Sequence, residues 1–305
     1  MRLRLILYCN TPNYIIITVQ GFAALSRKRR AIARINCGHS ATAKDCNLSK
    51  RAQDTLFVGS LDKGMRVLSA FDHNHPSLGL TELAERTGLE KSAAQRLSNT
   101  LHKIGYLDKD PETRRFRPSL KYLELANAYW WADPLVQLAM PKLIELGQHV
   151  QERVNLARLD GGEIVYVIRI PTQLTRFEAM IAGRRLPALT TSSGRCMIAR
   201  LPAAERRKAV KTWPLVAMTS KTTMDRAKIA ASVEEAVAAG YSVTVSENML
   251  NETALAAPIL DHDSRPIAAV QCSVSSLKWS VDKVRREIAP RLIEVANSFN
   301  PTKMR

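Results

Sequence analysis

The sequence predicts a mixed α+β chain in two parts: an N-terminal module of three short helices and a two-stranded hairpin, then a C-terminal domain built on an antiparallel sheet. Three observations predict it. Residues 61–101 hold three helical patterns, the last two joined by a tight turn at Thr87-Gly88-Leu89. A turn sequence, Asp110-Pro111-Glu112-Thr113, separates two short strand-like runs. From Val154 onward strand pairs alternate with grouped helical stretches, the order that sets segregated helices on an antiparallel sheet.

The first helix is apolar at Leu61, Met65, Leu68 and Phe71, near helical spacing. It ends at His73–Ser77, where Pro76 cannot continue a hydrogen-bonded turn. The second starts near Thr81 as N-cap, with Glu82 in the first turn where the helix dipole favours negative charge. Leu80, Leu83 and Ala84 form its core stripe, Gly88 supplies the left-handed residue that ends it, and Leu89 plugs the hub between helices. The third runs from about Lys91 to Ile104. Ala94, Leu97, Leu101 and Ile104 share one face, and Ser92, Gln95, Arg96 and Asn99 share another.

Alone, that polar row is an ordinary solvated helix face. Behind a helix and a tight turn it reads as a recognition helix, whose Arg suits guanine and whose Gln and Asn suit adenine in the major groove. Gly105 closes the helix. Tyr106-Leu107 and Arg114-Arg115-Phe116-Arg117 then flank the polar turn as a wing, with three arginines suited to phosphate or the minor groove. The module is expected to be a winged helix-turn-helix over residues 59–118 that binds a double-stranded DNA operator. The expected contacts are Lys91, Ser92, Gln95, Arg96, Asn99, Arg114, Arg115 and Arg117.

Charge supports this locally rather than globally. The formal net charge is +17, but residues 1–53 carry ten Lys/Arg and one Asp. Residues 91–121 carry eight Lys/Arg against three Asp/Glu, whereas 54–90 is acidic overall. The positive charge is thus focused on the expected DNA face. Residues 1–58 are expected to be an extension outside the folded domains, disordered or lying upstream of the true start. Polar residues interrupt the Leu3–Leu25 stretch, so it suits neither a membrane span nor a signal peptide. Ser26–Arg34 is a basic run.

Ser119–Trp131 is expected to be a linker helix (residues 119–133) that is apolar on more than one face, through Leu120, Tyr122, Leu123, Leu125, Tyr129 and Trp130. Such a helix must bury two surfaces, and a partner protomer is one way to do so. Asp133-Pro134 restarts the chain as N-cap and first helical residue, with a helix to about Val150. The second domain, 134–301, begins there. Strands are expected at 154–160 and 163–170 around Gly161-Gly162, then near Phe177–Ile181. Helices follow at about Ser193–Arg200, Ala203–Thr212 and Asp225–Ala239, the last capped by Gly240. Strands return at Tyr241–Ser246, Ala254–Leu260 and Ile267–Ser273, and a final helix spans about Val281–Phe299.

The expected ligand position is Thr190–Gly194. The hydroxyls of Thr191, Ser192 and Ser193, with free N–H groups at a helix start, suit a small carboxylic acid. Ordinary helix capping explains one or two of these hydroxyls but not four. Gln271 and Ser273, two apart on one strand, face the same side.

Taken together, "GSLDKGMRVLSAF", "LGLTELAERTGLEKSAAQRLSNTLHKIGYLDKD" and "TRRFRPSLKYLELA" resemble the IclR-type bacterial transcription regulators. The likeness continues through "VNLARLDGGEIVYVIRI", "GRRLPALTTSSGRCMIARLP", "EEAVAAGYSV" and "ALAAPILDHDSRPIAAVQCSVSS", from about Gly59 to the C-terminus. "TTSSGR" and its surroundings resemble the subgroup controlling aromatic-acid catabolism. The resemblance implies a GAF-like sensor domain, with Thr244 and Ala254 lining the effector pocket. Two departures stand out. Glu90-Lys91-Ser92-Ala93 replaces the family's usual Pro-Lys-Ser-Thr, which points to a different operator. Asn251-Glu252-Thr253 replaces Gly-Leu-Arg, which points to a different effector.

No nucleophile elbow, metal-ligand spacing, phosphate loop or acid–base pair is found, so an enzyme, a cofactor and a metal are not expected. The five cysteines (9, 37, 46, 196 and 272) lack paired spacing, and Cys196 and Cys272 are expected to act as small apolar residues. His73 and His75 read as loop residues. The expectation is a cytoplasmic, dimeric or tetrameric DNA-binding regulator of catabolic genes, controlled by a small carboxylic or aromatic acid, with no membrane partner. The alternatives are a regulator that no longer senses an effector, or a small-molecule-processing enzyme.

Overall fold

The computed structural model describes residues 5–11, 14–19, 56–172 and 181–299. The chain divides into two compact units between Pro118 and Ser119. In the leading segment, β1 (Leu5–Thr11) pairs antiparallel with β2 (Tyr14–Val19). The expectation of an unstructured extension did not include this hairpin. Its runs of Leu, Ile, Val, Tyr and Thr are the residues a pleated ribbon favours.

The first unit then holds α1 (Gly59–Leu68), α2 (Leu80–Thr87), α3 (Lys91–Lys103), β3 (Leu107–Lys109) and β4 (Phe116–Pro118). Its core is Val67, Leu68, Leu78, Leu83, Ala94, Leu101, Leu107 and Phe116. Three expected core positions lie elsewhere: Leu61, Met65 and Ile104 are exposed, at 63%, 49% and 50%. Periodicity marks a stripe but not which edge of it the neighbours cover, and here Val67 and Ala70 take the inward positions.

α2 begins one residue before the expected Thr81 cap. Gly79 is the N-cap, and its N–H donates to Glu82 Oε2 (2.6 Å). The Glu82 carboxyl is held below its ordinary range first by that N–H and then by Arg115. Gly88 ends the helix at φ 64, with Leu89 N–H donating to Ala84 O (3.1 Å). After α1, His75 Nδ1 lies 2.9 Å and Arg86 Nη2 2.6 Å from the two Asp72 oxygens. This cluster pins the loop to α2, and the hydrogen bond with His75 is the main reason the Asp72 pKa falls to about 2. The wing is tied down as well: Leu78 and Phe116 exchange backbone hydrogen bonds of 2.9 and 2.8 Å.

The second unit opens with α4 (Lys121–Ala132) and α5 (Pro134–Val150). Asp133 caps α5 by accepting from Leu135 N–H (3.1 Å), and it also takes Tyr129 Oη–H (2.9 Å) and pairs with Arg158 (3.1 Å). Then come β5 (Arg153–Asp160), β6 (Glu163–Ile170), β7 (Arg185–Pro187), α6 (Ser192–Ile198), α7 (Ala203–Thr212), α8 (Arg226–Ala239), β8 (Ser242–Val245), β9 (Glu252–Leu260) and β10 (Pro266–Ser275). The sheet is antiparallel in the order β7-β6-β5-β10-β9-β8. Gly161 and Gly162 turn β5 into β6 with both φ values positive, 60 and 99, as a two-residue hairpin of right-handed twist requires. Asn251 takes φ 60 where the family usually has Gly.

One sheet face packs Val154, Leu156, Leu255, Val270 and Cys272 against α5 and the C-terminal helix. The other packs Ala157, Tyr166, Ala256 and Ala269 against α6, α7 and α8. At about 1.5–3 kcal/mol per fully buried large apolar side chain, both layers drive the fold.

Two details depart from the sequence reading. β7 was not anticipated, being only three residues long. The final helix runs unbroken over 281–297 but is not α-helical throughout: α9 (Val281–Lys283) and α10 (Ala289–Asn297) flank a π-type turn at Val284–Ile288. Pro290 in the first turn of α10 lacks an N–H, and the turn absorbs the missing bond. The strand expected near Phe177–Ile181 lies outside the described residues except for Ile181, which is exposed and in no strand.

Candidate nucleic-acid interface and ligand face

α3 exposes Lys91, Ser92, Gln95, Arg96 and Asn99, because Ala94, Ser98 and Leu101 are spent on the core. Ser98 Oγ–H donates back to Ala94 O (2.8 Å), so it is satisfied internally. Between this row and the wing lies a groove of about 750 Å³, lined by Ser92, Gln95, Arg96, Asn99, Lys109, Arg114 and Phe116. Arg114 stands at φ 58 at the end of a loop organised by Asp110, whose Oδ1 accepts from Glu112 and Thr113 N–H groups (2.9 and 2.8 Å). That bonding, Thr113 first, holds the Asp110 carboxyl below its ordinary range. Lys109, absent from the expected set, lines the groove with its ammonium 5.2 Å from the Phe116 ring centre. The strand alternation around Leu107 was the signal that could have found it.

The wing arginines separate. Arg117 is exposed and lies 3.5 Å from Asp108 across the hairpin. Arg115 turns back into the module, donating to Ser77 Oγ (3.1 Å) and Ser77 O (2.8 Å) and pairing with Glu82 (2.7 Å). Its guanidinium positions the wing and is not presented to a phosphate in this arrangement. Arg115→Ala is therefore expected to lower the melting temperature modestly and to leave the salt dependence of DNA binding unchanged. A salt slope reduced by about one charge would return Arg115 to the phosphate-contacting set.

In the second unit the expected ligand residues converge on one sheet face and the helix above it. Thr244, Ala254, Gln271 and Ser273 are all buried and, by register, share the face that α6 covers. Thr191 is consumed by capping: its Oγ1 accepts from Gly194 N–H (3.0 Å) and donates to Ala188 O (3.2 Å). Ser192 and Ser193 differ from it. Both are fully buried, and neither hydroxyl has a hydrogen-bond partner among the described residues. Buried polar groups are normally paired, so two adjacent orphans call for an explanation.

Sequence reading missed the rest of the polar lining. Asn155 Nδ2–H donates to Gln271 Oε1 (2.9 Å), Gln271 Nε2–H to Ser273 Oγ (3.0 Å), and Ser273 Oγ–H to Glu252 Oε1 (3.3 Å). Glu252 also pairs with Arg153. Beneath α6, Arg195 and Glu247 form a buried two-pronged ion pair (2.7 Å each), with Arg195 Nε–H donating to Leu189 O (2.8 Å). Burial pushes the Cys196 and Cys272 thiols up, away from the reactive thiolate. Among the described residues no cluster of His, Cys, Asp and Glu could hold a metal ion.

Comparison with known proteins agrees with both halves. A family model described as the IclR helix-turn-helix domain matches residues 60–111, and one described as bacterial transcriptional regulator IclR C-terminal matches residues 128–300. The chain is 30% identical over 248 residues to the Pca regulon regulatory protein of Pseudomonas putida, covering 81% of this chain and 84% of that one. It is 27% identical over 248 residues to the p-hydroxybenzoate hydroxylase transcriptional activator of Acinetobacter baylyi, covering 80% and 91%. A crystal structure of a transcriptional regulator from Rhodococcus sp. RHA1 superposes with a TM-score of 0.70 at 30% identity, covering 80% of this chain and 97% of that one.

Proposed function

The chain belongs to the IclR family of bacterial transcriptional regulators, and from that premise we propose that it controls catabolic genes by binding an operator in response to a small aromatic or other carboxylic acid. The observation that carries the DNA half is the exposed row Ser92, Gln95, Arg96 and Asn99 facing a groove shared with Arg114 and Lys109. A helix of this kind places short donors and acceptors against base edges while the flanking cations meet phosphates. The effector half rests on the orphaned Ser192 and Ser193 hydroxyls above the Gln271–Ser273 ladder. The names of the Pseudomonas and Acinetobacter relatives favour an aromatic acid.

A single winged module reads one half-site, so the proposal includes a homodimer or homotetramer. The apolar surface of α4, with Leu123 66% and Trp131 71% exposed, supports it. No helix among the described residues is long and apolar enough to cross a membrane, and we assign the protein to the cytoplasm, where its operator is.

The test is a mobility shift of the purified protein on DNA upstream of its own gene. Arg96→Ala is expected to weaken specific binding by about 1–3 kcal/mol while leaving binding to random DNA nearly unchanged. A wild type without preference for that DNA over random sequence at 200 mM salt, on the order of physiological strength, would sink the operator reading.

A further inference from the structure

Arg169 is the side chain that the functional account leaves unused. The β5–β6 ladder slips between Leu156 and Ala157: Leu156 faces Ile168, Ala157 faces Tyr166, and Val167 is the inserted residue. The bulge brings Tyr166 and Arg169, three apart in sequence, onto the same face as Asn155 and Gln271. There the guanidinium stacks 4.4 Å above the Tyr166 ring, and its Nε–H donates to Asn155 Oδ1 (3.2 Å). Asn155 is itself fixed by Gln271. Nη1 is buried and has no hydrogen-bond partner among the described residues. The fork is held at its root and stacked on its flat side, and a free donor remains at its tip.

The charge balance around it is uneven. Arg153, Arg169 and Arg184 surround Tyr166, with Glu252 as the nearby carboxylate. Glu252 is already committed to Arg153 and Ser273, and Arg169 has no carboxylate within ion-pair distance among the described residues. Arg169 is half-buried, and a partly desolvated cation without a counter-charge carries a cost that a joining anion offsets. Burial also pulls the Arg169 pKa down to about 10, which leaves it charged at neutral pH.

We infer that Arg169 is the residue that selects the charge of the effector, its half-buried fork donating to the ligand's carboxylate while Tyr166 and the Asn155–Gln271 chain hold the fork in place. This rests on the reading of the α6-covered sheet face as the ligand site, and it adds the anchor which that reading lacked. The matching ligand is a monoanion with a planar carboxylate, because a guanidinium pairs with that group through two parallel bonds. Its neutral amide isostere loses both the charge and one acceptor.

The full-length protein tests this by thermal shift and calorimetry with acetate, benzoate, 4-hydroxybenzoate and 4-hydroxybenzamide. The wild type is expected to be stabilised by a carboxylate and not by the amide. Arg169→Met is expected to bind that carboxylate on the order of 100-fold more weakly, and Arg169→Lys to recover only part of the loss. The ligand-free melting temperature of Arg169→Met should equal or exceed that of the wild type, since an uncompensated charge is removed. A fall of several degrees would make Arg169 a structural cation and overturn the inference. Equal binding of carboxylate and amide, or of the carboxylate by wild type and Arg169→Met, overturns it while the ligand site stands. No stabilisation of the wild type by any of the four overturns the ligand reading and this inference with it.

Discussion

Arg195→Ala is expected to destabilise the C-terminal domain by about 3–5 kcal/mol, a large share of the stability of a typical domain. Arg195 and Glu247 are 3% and 7% exposed and meet through two bonds of 2.7 Å. Removing the cation strands the Glu247 carboxylate with, among the described residues, only Thr223 N–H (3.1 Å) in support, and it frees Leu189 O from its donor. The cost comes from the charge left behind, not from the strength of the pair. Replacing both partners, Arg195→Met with Glu247→Leu, should recover most of the loss. Urea unfolding of the three variants decides the matter. An Arg195→Ala protein within about 1 kcal/mol of the wild type would mean that water reaches Glu247 and that the pair is not the buried clamp described.

Gly194→Ala is expected to cost about 3 kcal/mol, through backbone overlap rather than charge. A Cβ at residue 194 would overlap the Ala188 carbonyl oxygen and lie 2.5 Å from the Ala188 carbonyl carbon. Neither group can swing away as a side chain would, because Thr191 Oγ1 bonds to both Ala188 O (3.2 Å) and Gly194 N–H (3.0 Å). The methyl must push α6 off the 3₁₀ turn at Ala188–Thr190, moving Ser192 and Ser193 with it. Thermal unfolding should show a lowered transition, and any carboxylate stabilisation seen in the wild type should vanish in the same protein. An unchanged melting temperature would show that the close approach of α6 to Ala188 is not maintained in solution.

These two positions lie inside "TTSSGR", which was legible in the sequence as a candidate ligand loop, yet the reasons they matter were not. Four adjacent polar residues with Gly announced a helix start. Which hydroxyl caps, which two are left over, and why the Gly is required depend on Ala188 folding back against them. Arg195 was given no role from the sequence, since its partner Glu247 is 52 residues away. The wing shows the same limit. Three arginines in four residues promised three phosphate contacts, but Arg115 is claimed by Ser77 and Glu82, 38 and 33 positions upstream.

What the sequence determined by itself is local and periodic: three short helices around Gly88, a hairpin at Gly161-Gly162, a polar face on α3 and five of the six sheet strands. Those follow from φ preferences and from side-chain periods of 3.6 and 2, which act within a few residues. Tertiary structure alone decided the edges and partners: that Leu61 and Met65 face outward, that Arg115 serves the wing, and that a bulge at Val167 brings Arg169 over Tyr166 beside Asn155. A one-residue slip in a strand exchanges its two faces, and burial turns a distant charge into a required partner. Both effects depend on which segments meet, which no single segment's pattern specifies.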